Sequence, residues 1–270
     1  MANRPKQELQ SGKRDVPAAL AAQASYSARL SARSALYTDL QLLLEEQKHA
    51  LSRDGYRELI VEQNCLARSS ISSRRKLWVE LRYRYILDRE SPLFVAFWLE
   101  WRSCKSDVER GLTAYTLLAL NDRLVADLGV YWLYSYLRKA PADLRVDEVR
   151  DFIRRATEVE HPEVQAWTED TQLHVAQHYM ASVRDFGLAR GKLRKASVRP
   201  ALHGAPIRLL VRALRLAGSN DLEIVTARVF RLLALEGHEV VDALGELNRR
   251  GDLRFRMQAD VIELDVEERR

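Results

Sequence analysis

The chain lacks most of what would mark a secreted, membrane-spanning or turn-rich protein. Two cysteines, Cys65 and Cys104, stand in 270 residues, too few for a disulfide framework and without metal-ligand spacing. Seven prolines and eleven glycines leave little turn chemistry for an all-β fold and argue against collagen-like or low-complexity sequence. No apolar run approaches the roughly 20 residues that a membrane span requires. The best stretch, residues 112–137, is interrupted by Asn121, Asp122, Arg123 and Asp127. The start, Met-Ala-Asn-Arg-Pro-Lys, is charged but has no apolar segment after it, so no signal peptide is expected. A glycine-rich phosphate loop, a Gly-x-Ser-x-Gly elbow and a catalytic cysteine setting are also missing. These absences lead us to expect a cytoplasmic protein, mainly helical, without enzymatic activity and without a cofactor.

Hydrophobic residues make up 47% of the chain and charged residues 30%, and the net charge of +5 is unevenly spread. Residues 1–87 carry 15 basic and 9 acidic side chains, and residues 184–215 carry nine and one. The intervening and final stretches are net acidic. Two positive blocks fit a polyanion touching defined surfaces, although such blocks also occur on ordinary solvated faces.

Hydrophobic periodicity divides the chain into five parts. Residues 1–24 read as a flexible tail. Residues 25–88 read as an N-terminal helix-turn-helix region. In it a helix is expected from Tyr26 to Ala50, on the spacing of Leu30, Ala35, Leu40 and Leu43. A short helix around Tyr56, Leu59 and Ile60 follows, then a serine-rich turn and a helix with Leu77, Trp78, Leu81 and Tyr85 in one stripe. Residues 89–190 read as a central helical bundle, with helices at 93–101, 112–120, 124–137, 146–157 and from Thr168 to about Phe186. Residues 191–206 read as a basic linker or exposed loop. In residues 207–270, three helices and two short alternating runs around a 258–260 turn make the outline of a winged helix with a β-hairpin.

Three basic groups are candidate DNA contacts. Arg68, Ser70, Ser72, Ser73, Arg74, Arg75 and Lys76, with Arg82 and Arg84, surround a helix start. There serine hydroxyls and free amides can hold phosphate while an arginine fork reads guanine. Arg190, Lys192, Arg194, Lys195 and Arg199 form a run able to neutralise phosphates without sequence preference. Arg254 and Arg256 lie on the C-terminal hairpin and could follow a groove or backbone. The helix before that hairpin bears Glu239, Asp242 and Glu246, which suits protein contact better than a polyanion. His174 and His178 have the i, i+4 spacing of zinc ligands, but Val175 stands where a metalloprotease needs its glutamate, and no metal is expected.

Tyr26-Ser27-Ala28-x-Leu30, the turn from Glu62-x-Asn64 to Arg75, the leucine-aromatic helices of 112–137 and His161-Pro162-Glu163-Val164-x-x-Trp167-Thr168-Glu169-x-Thr171 occur together here. In these segments, over roughly residues 25–190, the chain resembles the BrxA family, the small helical component of BREX (bacteriophage exclusion) systems. The resemblance implies a NusB-like helical body flanked by a helix-turn-helix part, and double-stranded DNA as ligand. It also implies partners among a DNA methyltransferase, an AAA+ ATPase, a phosphatase-like protein and a Lon-like protease; no membrane partner is expected, on the hydropathy argument above. Two alternatives remain open at this point: an adaptor docking other defence components, and an RNA-binding protein built on the NusB-like body.

Overall fold

The computed structural model describes residues 25–157, 161–258 and 261–266; the expected tail and part of the 258–260 turn lie outside them. Among the described residues the architecture is mainly helical, with two small sheets. Helices begin where a short polar side chain can accept the free amides of the first turn. Ser70 accepts from Ser73 N ahead of the helix that starts at Ile71, Ser91 from Phe94 N, Ser106 from Glu109 N and Thr168 from Thr171 N.

In chain order the first helices are α1 (Tyr37–Glu45), α2 (Arg53–Arg57, continued by a π-turn at Glu58–Glu62), α3 (Ile71–Tyr85), α4 (Pro92–Ser103), α5 (Asp107–Asn121), α6 (Arg123–Asp127) and α7 (Tyr134–Arg138). A second π-turn at Leu128–Leu133 joins α6 to α7. Strand β1 (Asp143–Leu144) leads into α8 (Val146–Thr157), α9 (Glu169–Asp185), β2 (Ala189–Arg190) and β3 (Lys195–Ser197). The remaining elements are α10 (Gly204–Leu216), α11 (Asp221–Val225), a 3-10 turn at Arg228–Leu233, α12 (His238–Arg249), β4 (Arg254–Gln258) and β5 (Val261–Asp265).

The apolar α5 and the segment after it lie at the centre, almost wholly buried from Gly111 to Val130. A helix apolar on every side requires neighbours on every side. These include α3 and α4 against α5, α10 against both α4 and α5, and the Arg228–Leu233 turn against Leu128–Leu133. Asp122, in extended backbone, breaks the run and caps α6 through Val125 N at 3.2 Å. Burial pushes its carboxyl up to about 6, against the opposing pull of the Val125 and Leu124 amides. Between pH 4 and 6 the native state therefore holds more proton than the unfolded one. Asp122's contribution to stability falls as pH rises through that window, by roughly 3 kcal/mol in all. Asp122→Asn keeps an acceptor for Val125 N without the charge. It should raise the urea midpoint at pH 8 and flatten the stability profile between pH 4 and 6, measured by urea unfolding across pH.

Residues 25–36 differ from the helix that their spacing predicts. The chain runs as a strap with one 3-10 turn, Ala28–Ser31, and helix begins only at Tyr37, after Leu36 at φ 56°. Tertiary hydrogen bonds replace those of the expected helix. Ala35 N donates to Ser182 Oγ at 2.8 Å, Tyr85 Oη donates to Ala35 O at 2.7 Å, and His178 Nδ1 donates to Leu30 O at 2.6 Å. At its start the Tyr26 ring stacks on His161, centroids 3.6 Å apart. Tyr26 Oη donates to Asp127 Oδ2 at 3.0 Å and its amide donates to Glu163 Oε1 at 2.6 Å. Arg123 Nε completes the cluster on Asp127 at 2.7 Å. The Tyr26-Ser27 and His161-Pro162-Glu163 motifs, remote in sequence, are two halves of one clasp.

A buried ion network fixes the C-terminal part to the body. Glu100 on α4 accepts from Arg208 Nε at 2.8 Å and Arg212 Nε at 2.9 Å, both on α10. Arg208 reaches on to Ser103 Oγ at 2.7 Å and to Asp252 at 3.4 Å. Glu109 Oε1 accepts Ala205 N at 3.1 Å, in the first turn of α10.

Candidate nucleic-acid interface

The helix start at α3 is less open than its sequence suggests. Ser70 Oγ is occupied in capping, accepting Ser73 N at 3.2 Å. Arg68 is ion-paired with Asp39 of α1, and Arg74 Nη1 donates to Val61 O at 3.2 Å. Arg82 lies half-buried with its guanidinium 5.8 Å from the Trp78 ring. Arg84 is buried, paired with Glu80, and donates to Arg33 O at 2.9 Å; it anchors the strap and does not face solvent. Ser73 is half-buried, and Ser72, Arg75 and Lys76 remain exposed.

Where the sequence reads as a linker, the chain pairs into a hairpin. β2 and β3 are antiparallel, with Ala189 opposite Ser197 and Arg190 opposite Ala196. β3 also pairs with β1, so the strand order is β1-β3-β2. Ser197 ties the hairpin base to the body, its Oγ donating to Tyr136 O at 2.9 Å and accepting Ala142 N at 3.0 Å. Four residues, Gly191 to Arg194, form the tip. Arg190, Lys192 and Arg194 are exposed there, and none makes a side-chain ion pair among the described residues. Lys195 is half-buried with Nζ on Lys192 O at 3.0 Å. Burial and the neighbouring Arg184 hold its ammonium below the usual lysine range, opposed by Asp185. Arg199 leaves the cluster, joining Arg138 on Glu239 of α12.

The C-terminal hairpin is charge-balanced. Arg254 stands opposite Asp265 and Arg256 opposite Glu263 in the β4–β5 register, while Arg249 and Arg250 both pair with Glu246. Of the three basic groups, the β2–β3 hairpin gathers the most exposed cations without an ion pair among the described residues, three against the two, Arg75 and Lys76, at the α3 start. The signal that reveals it is Gly191 flanked by Leu188-Ala189 and Ala196-Ser197-Val198, two runs too short for periodicity to speak.

The zinc-spaced histidines have structural work. His178 holds Leu30 O and His174 Nδ1 lies 3.2 Å from Asp170; among the described residues no cluster of three metal-ligating groups occurs. No helix among them is long and apolar enough to cross a membrane.

No curated protein matches the chain. The BrxA family model matches residues 24–212, a span that holds the strap, the clasp, α3, the central helices and the β2–β3 hairpin. With well over half its length so matched, the chain belongs to the BrxA family of BREX phage-defence systems.

Proposed function

We propose that this protein is a non-enzymatic, double-stranded-DNA-binding accessory protein of BREX defence, acting in the cytoplasm, with the β2–β3 hairpin as its principal contact. The observation that carries the reading is the unpaired Arg190, Lys192 and Arg194 on a hairpin whose base is pinned to the core. Of the three basic groups this hairpin has the most exposed cations without an ion pair among the described residues, so its field is the least cancelled of the three. The order α6–α7, β1, α8, α9, β2, β3, with strands arranged β1-β3-β2, supports reading this region as a winged helix whose wing is the basic tip. In that reading α9 takes the place of the groove-entering helix. Its first turn carries Glu169 and Asp170, which repel phosphate, and the strap covers part of it. Wing and backbone contact are favoured over base reading.

The 53–85 helices then act as a buttress with helix-turn-helix outline. The central body is read as NusB-like on the family resemblance, and the C-terminal helices with β4–β5 as a second winged-helix-like unit. The charge balance of β4–β5 favours a further role for that end in docking protein components of the BREX system, such as the methyltransferase or the AAA+ ATPase.

Fluorescence anisotropy with a labelled duplex tests the main reading. Three or four neutralised phosphates predict an affinity loss on the order of a hundredfold between 50 and 200 mM salt. Salt-independent binding, or none at 50 mM, would exclude it in favour of the adaptor role.

A further inference from the structure

Leu193 is fully exposed, at 100%, and is the most exposed of the large hydrophobic side chains among the described residues. It occupies the tip of the β2–β3 hairpin between Lys192 and Arg194, with Arg190 one strand-end away. The tip is conformationally determined. Gly191 sits at φ 97° and its α-carbon closely faces Arg194 O, so no other residue fits there without moving backbone. Lys195 Nζ braces the turn through Lys192 O. Behind it Ser197 ties the hairpin to the body, and Val198 N donating to Leu188 O at 2.8 Å closes the two strands on each other. A leucine held out on a rigid, cationic prong is apolar surface that the fold itself does not use.

We propose that Leu193 is a wedge that enters the minor groove of duplex DNA and partly unstacks a base step, so that the protein bends the DNA it binds. The inference rests on the duplex-binding reading above. The leucine side chain at the end of this four-residue tip can enter a minor groove about 6 Å wide, and the flanking cations would meet the phosphates of the two strands that border it. Burying one leucine among base edges offsets part of the unstacking cost, and the flanking charges supply the affinity. That balance favours flexible pyrimidine–purine steps, where unstacking costs least. A lipid surface is the less favoured partner, because one leucine and three cations fall short of the apolar area that stable interfacial anchoring requires.

Full-length protein is titrated onto a 30-base-pair duplex with a central TA step, end-labelled for energy transfer, with anisotropy read on the same sample. The wild type should shorten the end-to-end distance at saturation. Leu193→Ala should bind with a loss of no more than about tenfold and leave the duplex straight, while Leu193→Phe should restore the bend. A straight duplex under saturating wild type, or an equal bend with Leu193→Ala, overturns the wedge while leaving duplex binding intact. Absence of binding in the anisotropy channel would remove the duplex reading and the wedge with it. Phosphatidylserine-containing vesicles serve as a parallel probe: Leu193-dependent capture there, with no Leu193 dependence on DNA, would assign the prong to membranes and overturn the proposal.

Discussion

Replacing Glu100 by alanine should cost about 3–5 kcal/mol of stability, the range for breaking a buried ion pair and leaving its partner charged. Glu100 is 2% exposed and Arg208 5% exposed. Each Glu100 oxygen accepts a guanidinium from a different turn of α10. Without the carboxylate, Arg208 retains Asp252 at 3.4 Å and Ser103 Oγ, but Arg212 loses its contact with α4. Two cations then face the α4–α10 seam, which joins the C-terminal helices to the body. The transition in urea should shift to a lower midpoint with an unchanged slope if the whole chain unfolds together. A split into two transitions would show instead that the C-terminal part detaches first. Arg57→Ala is the control: its pair with Glu62 is about half exposed on both sides, and its loss should cost no more than about 1 kcal/mol. A Glu100→Ala midpoint equal to that control would mean that solvent reaches the network and that the seam is held by apolar packing alone.

How far the sequence discloses this fold depends on the range of the interaction that decides each element. The break at Asn121-Asp122, the Ser70 and Thr168 caps and the stripe of Leu77, Trp78, Leu81 and Tyr85 are local matters, and they read directly as caps and 3.6-residue spacing. The β4–β5 hairpin is legible for the same reason, since five-residue strands are long enough to alternate. The strap is not legible. Leu30, Leu40 and Leu43 keep helical spacing, yet Ala35 and Leu30 find better partners in Ser182, Tyr85 and His178, more than 45 positions away. β2 and β3, two and three residues long, are too short for a period to show. Candidate contacts suffer most, because a basic residue's availability depends on acids elsewhere in the fold. Arg68 is taken by Asp39 and Arg199 by Glu239, pairings that no run of cations reveals.

Changing Arg190, Lys192 and Arg194 together to glutamine should abolish most duplex binding while leaving the fold untouched. The three side chains are exposed and make no ion pair among the described residues, so the melting temperature should hardly move. Each lost phosphate contact should lower the magnitude of the log–log salt slope by about 1. Allowing roughly 1 kcal/mol per contact at physiological salt, affinity should fall on the order of a hundredfold. The comparison that gives this test its force is Arg75→Ala with Lys76→Ala. Those two are the cations at the α3 start that remain exposed, after Arg74 is held by Val61 O and Arg68 by Asp39. Their loss should lower affinity no more than about tenfold. If the double α3 variant loses more than the triple hairpin variant, duplex DNA is read at α3 and the hairpin only assists. Equal binding by both variants and the parent would place the contact on neither element and move it to other exposed cations, such as Arg53, Arg102 and Arg145, that make no ion pair among the described residues.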